Sequence, residues 1–362
     1  MKIVYMSNAI IPSQSANSVH VMKMCSAFSK YFETVLFAVE GELKTDPYKY
    51  YGSEKNFSLI KIKKSNNYIG SIKYIITVLF LFKNDQDTCA YGRQTLVLFL
   101  LSLMRTNVAY EVHAIPDNKF RELIERIIFK QKKFQKLIVI SEALKKDYLK
   151  IFSNLASGDI VVAHDGADLP KKKMVKRIVK KTFKVGYIGH LYQGRGVEII
   201  LQLAKNFPEI EFSVVGGLDK DVKFWLKEAA EIDNIKFHGH VSHGALGEFY
   251  RAFDIMLAPY QIGINQSNGK SDTSKWMSPM KIFEYMSHGK PIISSDIPVL
   301  REVLNENNSI LVKPSDIKAW SLAIEALKSQ DKRDLLGDAA YADFCNYYTW
   351  DKRVKHILSK LI

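Results

Sequence analysis

The chain is poor in cysteine. Three residues in 362, Cys25, Cys89 and Cys345, lie far apart and form no Cys-x-x-Cys pair. That excludes a disulfide framework and a cysteine-rich zinc site, and it points to a reducing compartment. Long apolar runs are missing too. The longest, 75–82 and 96–104, fall well short of the ~20 residues that span a bilayer. The start, MKIVYMSN, has no basic segment followed by an apolar one, so it reads as a first strand and not as a secretion signal. No Gly-x-Gly-x-x-Gly follows a strand, and there is no Gly-x-Ser-x-Gly elbow or His-Glu-x-x-His helix. The nearest glycine-rich stretch is GHLYQGRG, residues 189–196. It carries Arg195-Gly196 where an NTPase loop needs Lys and then a hydroxyl for magnesium. Asp85-Gln86-Asp87 precedes a strand instead of following one, and reads as a turn, so no metal site is expected.

What is present is ordinary globular composition, 47% apolar and 25% charged, with a net charge of +14. The charge is uneven. Residues 1–170 hold 23 Lys/Arg against 16 Asp/Glu, 171–184 hold eight basic residues and no acid, and 185–362 hold 21 against 22. The basic excess therefore belongs to the first half and the connector. Two readings stay open for it: an anionic membrane surface as partner, or a solvated linker that favours solubility. Nucleic acid ranks well behind, because no matching motif accompanies the charge.

Short β-branched runs alternate with helical patterns along the chain. They lie at 2–7, 34–39, 58–63, 88–93, 108–113, 136–141 and 159–164, then at 184–189, 211–216, 235–239, 255–259, 291–295 and 309–313. Such alternation predicts βαβ units and parallel sheets covered on both faces. The fold class expected is α/β, with two doubly wound Rossmann-like domains facing a central cleft. The boundaries read as 1–165, a basic linker 166–183, a second domain 184–345, and a terminal amphipathic helix 346–362 that returns to the first domain. Ligands of these sheets bind beyond the carboxyl ends of the strands, so residues just after each strand carry the argument.

Four loops qualify. PSQSANSVHVM follows the first strand and ends at a helix start, with Asn17 or Ser18 as the expected cap. His113 ends the strand VAYEVH ahead of Pro116. His190 and Arg195 follow the strand that opens the second domain. Arg195 stands directly before a helix, where a guanidinium and free amides offer donors to one anion. The fourth is SPMKIFEYMSHGKPIIS, residues 278–294. Here Ser278 is the expected cap, Pro279 the first helical residue and Gly289 the stop. A long polar loop, 260–276, precedes it. The free amides of Met280 and Lys281 suit a phosphate edge. Glu284, one turn on, suits vicinal ribose hydroxyls, against the plainer reading of an ion pair with Lys281 on the surface.

The ordered set of segments resembles glycosyltransferase family 4, the retaining, nucleotide-sugar-dependent enzymes of GT-B fold. SANSVHVMKMCSAFSKYFETVLFAV, YEVHAIP, KLIVISEALKKDY, VVAHDGADL, VGYIGHLYQGRGVEIILQLAK, IKFHGHV, FDIMLAPY, SPMKIFEYMSHGKPIISSDIPVLREVL and YTWDKRVKHIL follow in the family's order. The resemblance implies an acceptor-side first domain and a second domain that binds the nucleotide sugar. It implies that Glu284 holds the ribose, that Arg195 neutralises the departing diphosphate and that His113 lies against the donor sugar. Gly239, His240 and Val241 match the loop near the base. Met280 and Lys281 match the backbone donors to phosphate and sugar.

Three positions depart from the pattern. Trp276 stands where the family carries a further Glu, His190 where it carries Arg, and Ala16-Asn17 where it carries Gly-Gly. His190 makes its diphosphate contact weaker and pH-sensitive. The three leave the donor open.

The function implied is sugar transfer from a nucleoside diphosphate sugar to a glycan or lipid-linked acceptor. The setting implied is cell-surface polysaccharide or glycoconjugate synthesis at the cytoplasmic side of the membrane. No cofactor is expected beyond the donor substrate itself. The alternatives are a sugar-nucleotide 2-epimerase of the same fold and a non-catalytic sugar-nucleotide-binding protein.

Overall fold

The structure is a computed structural model that describes residues 1–63, 68–82, 87–170, 182–262 and 274–361. Most of the basic run 171–184, Asp85 and Gln86, and residues 263–273 of the long polar loop lie outside the described residues. The chain divides into two compact units. One is Met1–His164 together with Trp350–Ile362, and the other is Asp165–Thr349.

The first unit is built on seven parallel strands: β1 (Lys2–Ile11), β2 (Glu33–Glu40), β3 (Ser58–Ile62), β4 (Thr88–Gly92), β5 (Asn107–Val112), β6 (Phe134–Val139) and β7 (Ile160–Val162). Their order is β3-β2-β1-β4-β5-β6-β7. Tyr5 of β1 lies opposite Leu36 of β2 on one side and Tyr91 of β4 on the other. Strands covered on both faces need no polar alternation, which is why IVYM, CAY and LIV are apolar throughout and buried. Cys25 and Cys89 are free thiols within this core.

The second unit has six parallel strands: β8 (Lys184–Ile188), β9 (Glu211–Val215), β10 (Ile235–Phe237), β11 (Ile255–Ala258), β12 (Ile292–Ser295) and β13 (Ile310–Val312). Their order is β10-β9-β8-β11-β12-β13. Its core joins Val185, Tyr187, Phe212, Val214, Leu257 and Trp320. Both sheets are Rossmann-like, parallel and doubly wound.

Chain direction across each sheet reverses at one place, between β1 and β4 and between β8 and β11. Such switch points open a crevice at the carboxyl ends, because the flanking loops leave in opposite directions.

The residues around 166–183 do not stand apart as far as they are described. Ala167 bridges to Thr349, and the Asp165 amide donates to the Ser278 hydroxyl at 2.8 Å, so this stretch packs with the second unit. The helix Trp350–Leu361 packs with the first unit, burying Trp350, Arg353, Val354 and Ile357 beside the helix Ala16–Phe28. Among the described residues no helix is long and apolar enough to cross a membrane.

Candidate functional site

In the second unit the switch point gathers positive charge. The loop after β8 carries His190 and Arg195, and Gly196 caps the helix Val197–Asn206 with φ of +77°. A Cβ at Gly196 would sit 1.9 Å from the Pro259 carbonyl oxygen. Glycine thus lets this loop close against the chain leaving β11. That approach lays Arg195 beside the tyrosines. Its guanidinium carbon is 4.6 Å from the Tyr192 ring centre and 5.3 Å from that of Tyr260, and it donates to the Tyr192 hydroxyl.

Lys281 enters the same cage from the helix Met280–Ser287. Its ammonium lies 4.0 Å from the Tyr187 ring centre and 4.3 Å from that of Tyr260. It is buried, and among the described residues its Nζ has no hydrogen-bond partner. Burial, and then the nearby Arg195, push its pKa well below the usual lysine value, with Glu284 opposing them. His190 feels the same surroundings. Burial first, then Arg195 and Lys281, push it down to about 4. At neutral pH it is an uncharged imidazole.

Glu284 lies one turn beyond Lys281. Its Oε1 pairs with His243 Nε2 at 2.6 Å, and its Oε2 accepts from the Tyr250 hydroxyl at 2.5 Å. Burial raises its pKa, but the His243 imidazole and these hydrogen bonds outweigh burial and hold it below the ordinary carboxylate range. A carboxylate has room for about four donors, so two bonds orient it and leave acceptor capacity.

Several expectations need correction. Ser278 is not the cap: Pro279, extended at φ −78° and ψ 116°, holds that position with no side-chain bond. The Ser278 hydroxyl is instead taken by the Asp165 amide. The cap of Ala16–Phe28 is Ser15, which accepts from the Asn17 amide, and neither Asn17 nor Ser18 fills that place. Ser18 donates instead to the Ile10 carbonyl. The plainer alternative for Glu284, a surface ion pair with Lys281, is not what forms: Lys281 turns into the tyrosine cage and Glu284 toward His243 and Tyr250. Met280 and Lys281 do occupy the first turn of their helix, where backbone amides lack intrahelical acceptors. Trp276 is buried just before that helix. Gly239, His240 and Val241 follow β10, with the Gly239 carbonyl accepting from the Gly216 amide at 2.7 Å. His240 lies near enough to His190 to act on its charge.

In the first unit, Ala16 and Asn17 open the helix after β1. Asn17 Oδ1 accepts from Arg93 Nη1, just past β4, at 2.6 Å. This bond spans the first switch point. His113 follows β5, and its Nε2 pairs with Glu111 Oε1 at 2.7 Å. An ionised carboxylate only accepts, so His113 carries its proton on Nε2. Glu111 is also 3.2 Å from His20 Nε2 and 3.3 Å from Arg353 Nη2, and it accepts from the Tyr91 hydroxyl. Burial raises its pKa, but Arg353 and then His20 outweigh burial and hold it well below the ordinary range. His20, Glu111 and His113 bring metal-ligand atoms within 4.8 Å of one another. The guanidinium beside them already supplies the positive charge that a cation would bring, and a cation there would repel it.

Glu111, His20, Arg353, Arg93, His243, Tyr250 and the tyrosine cage were not singled out from the sequence. One signal was present: Glu111 is an acid inside an otherwise apolar strand. Arg353 gave none, since it is 242 residues away.

Residues 168–343 match the family model described as glycosyl transferases group 1. An uncharacterized glycosyltransferase of Methanocaldococcus jannaschii is 26% identical over 322 residues, covering 79% of this chain and 78% of that protein. Among solved structures, Anabaena HepE in complex with UDP and glucose is similar at a TM-score of 0.73 and 15% identity, with 99% of each chain covered. S. aureus TarM in complex with fondaparinux, α-GlcNAc-glycerol and UDP is similar at 0.73 and 10% identity, again with 99% of each chain covered. The family match in the second unit, the relative and the two-sheet architecture together support a glycosyltransferase of the GT-B fold.

Proposed function

We propose that this protein is a retaining hexosyltransferase of glycosyltransferase family 4. It moves a sugar from a nucleoside diphosphate sugar to a glycan or lipid-linked acceptor, on the cytoplasmic side, in cell-surface polysaccharide or glycoconjugate synthesis. The carrying observation is the pair of cations at the second switch point, of which Lys281 is buried without an acceptor among the described residues. A buried ammonium without a partner is costly, and a diphosphate is the dianionic ligand that would relieve it. HepE and TarM both hold UDP, which makes uridine the first nucleotide to test.

In the proposed reaction the acceptor oxygen bonds to the anomeric carbon on the face that the diphosphate leaves. The carbon–oxygen bond to the phosphate breaks, and the acceptor proton passes to the departing diphosphate. Negative charge grows on that group. Arg195, Lys281 and the first amides of the Met280–Ser287 helix are fixed donors for it, and need no reorganisation as it develops. His190 adds a neutral contact. Glu284, oriented by His243 and Tyr250, accepts from the ribose hydroxyls. His113 serves the donor sugar, with Glu111 setting its tautomer.

The test is thermal unfolding with UDP, GDP and ADP, followed by NMR of the product's anomeric proton. A diphosphate at a hundredfold its Kd should stabilise by about 2.7 kcal/mol. Arg195→Ala should remove that gain, and Glu284→Gln should bind UDP and its dideoxyribose analogue alike. The reading is overturned if no diphosphate raises Tm, if Arg195→Ala turns over like the parent, or if the anomer is inverted.

A further inference from the structure

Three helices lie side by side on one face of the first sheet: Tyr68–Leu81, Thr95–Leu103 and Lys119–Ile128. Right-handed crossovers put them opposite Ala16–Phe28. In the first of them Tyr74 and Val78 turn into the core. Its outward side should then be polar, and it is not. Ile69, Ile72, Ile76 and Phe80, spaced by three and four, form an outward stripe that is 74, 47, 61 and 86% exposed. Leu81 lies beside it. The second helix adds exposed Leu96 and Leu103, with Met104 just past its end, and the third adds Phe120 and Leu123. Single exposed apolar residues are ordinary, but a four-residue stripe with further exposed apolar residues on the two neighbouring helices marks a contact surface.

The charges on this face that have no ion pair among the described residues are basic. The first two helices contain no acid and one base, Lys73. Lys73, Arg105, Lys119 and Lys130 are exposed, and none is ion-paired among the described residues. The acids of the third helix are already taken, Glu122 by Arg126 and Glu125 by Arg121. A second copy of the chain would set these unpaired bases against their own counterparts, since a two-fold contact uses the same patch twice. An anionic lipid surface complements both features: apolar side chains enter the boundary between head groups and acyl chains, and lysine and arginine meet the phosphates.

We propose that this face docks the protein on an anionic membrane. The Tyr68–Leu81 helix lies in the plane of the interface, and its 14 residues are too few to cross. The proposal does not depend on the transferase reading.

The experiment is co-sedimentation of the full chain at low salt with phosphatidylcholine vesicles, with and without phosphatidylglycerol as about one third of the lipid. The protein should be retained on the anionic vesicles, and Ile72→Glu/Ile76→Glu/Phe80→Glu should lower the partition by about tenfold or more. The triple variant should keep its Tm and its response to UDP, because the substituted side chains are exposed. Lys73→Glu/Arg105→Glu should weaken retention and flatten its salt dependence. Three results would overturn the proposal: no retention at low salt, equal retention on both vesicle types, or a triple variant that is retained like the parent. So would a parent that is dimeric without lipid and becomes monomeric in the triple variant.

Discussion

Each unit keeps a hydrogen-bonded carboxylate, Glu111 in the first and Glu284 in the second, and the two are surrounded differently. Glu111 has no exposed side-chain surface, and it is ringed by Arg353, His20, His113 and Tyr91. Its charge is answered within the fold. Glu284 is partly open, with 12% of its side chain exposed, and among the described residues His243 and Tyr250 are the side chains that bond it. One turn away, Lys281 and Arg195 leave a positive excess that no second acid answers among the described residues. The first centre is complete as it stands; the second is complete only with an anion. Charge balance thus separates a group that holds the fold together from groups prepared for a ligand, even where burial and hydrogen bonding look alike.

The largest effect should come from breaking the balanced centre. Glu111→Gln leaves Arg353 buried without its counter-charge, and should cost about 3–5 kcal/mol in denaturant unfolding. A loss under about 1 kcal/mol would place Glu111 among ordinary surface pairs and dissolve the contrast.

The unbalanced centre should respond with the opposite sign. Lys281→Met removes a desolvated charge and keeps the volume, so stability should rise by on the order of 1 kcal/mol. Affinity for UDP should fall by about tenfold, as expected for one lost charge-assisted contact. Calorimetry and thermal unfolding measure both, and a variant that loses stability along with affinity would show that the lysine is already compensated.

The smallest effect concerns His190. Its folded pKa of about 4 lies below the ordinary imidazole value. Its contribution to stability is therefore present above pH ~6.5 and lost as pH falls toward 4, because the unfolded chain takes the proton first. Glu111 and Glu284 lose stability in acid as well, so the readout is the difference between parent and variant. His190→Asn should lose less Tm than the parent between those two pH values. A bound diphosphate should raise the proton affinity of His190. Binding should then take up protons, visible as a buffer-dependent binding enthalpy.

The strands and their order of use were legible because parallel sheets write themselves as short apolar runs between helices. Strand-end residues followed from that, including His113, His190 and Arg195. Helix caps were misread, because Ser, Asn and Pro near a start compete for the same role, and tertiary partners such as the Asp165 amide decide among them. The direction of the Lys281 side chain was not legible, because its helix is buried nearly all round and its apolar stripe does not define a solvent face. The tyrosine cage draws Tyr187, Tyr192 and Tyr260 from two loops and a strand, and no local pattern announces it.

The return of Trp350–Leu361 to the first unit bears on how the chain is made. Glu111 leaves the ribosome 242 residues ahead of Arg353, an interval on the order of tens of seconds at ordinary elongation rates. Residues 165–349 are contiguous and emerge whole within that time. Vectorial synthesis therefore lets the later-encoded unit finish first, while the earlier-encoded one waits, its central carboxylate still without the guanidinium that balances it.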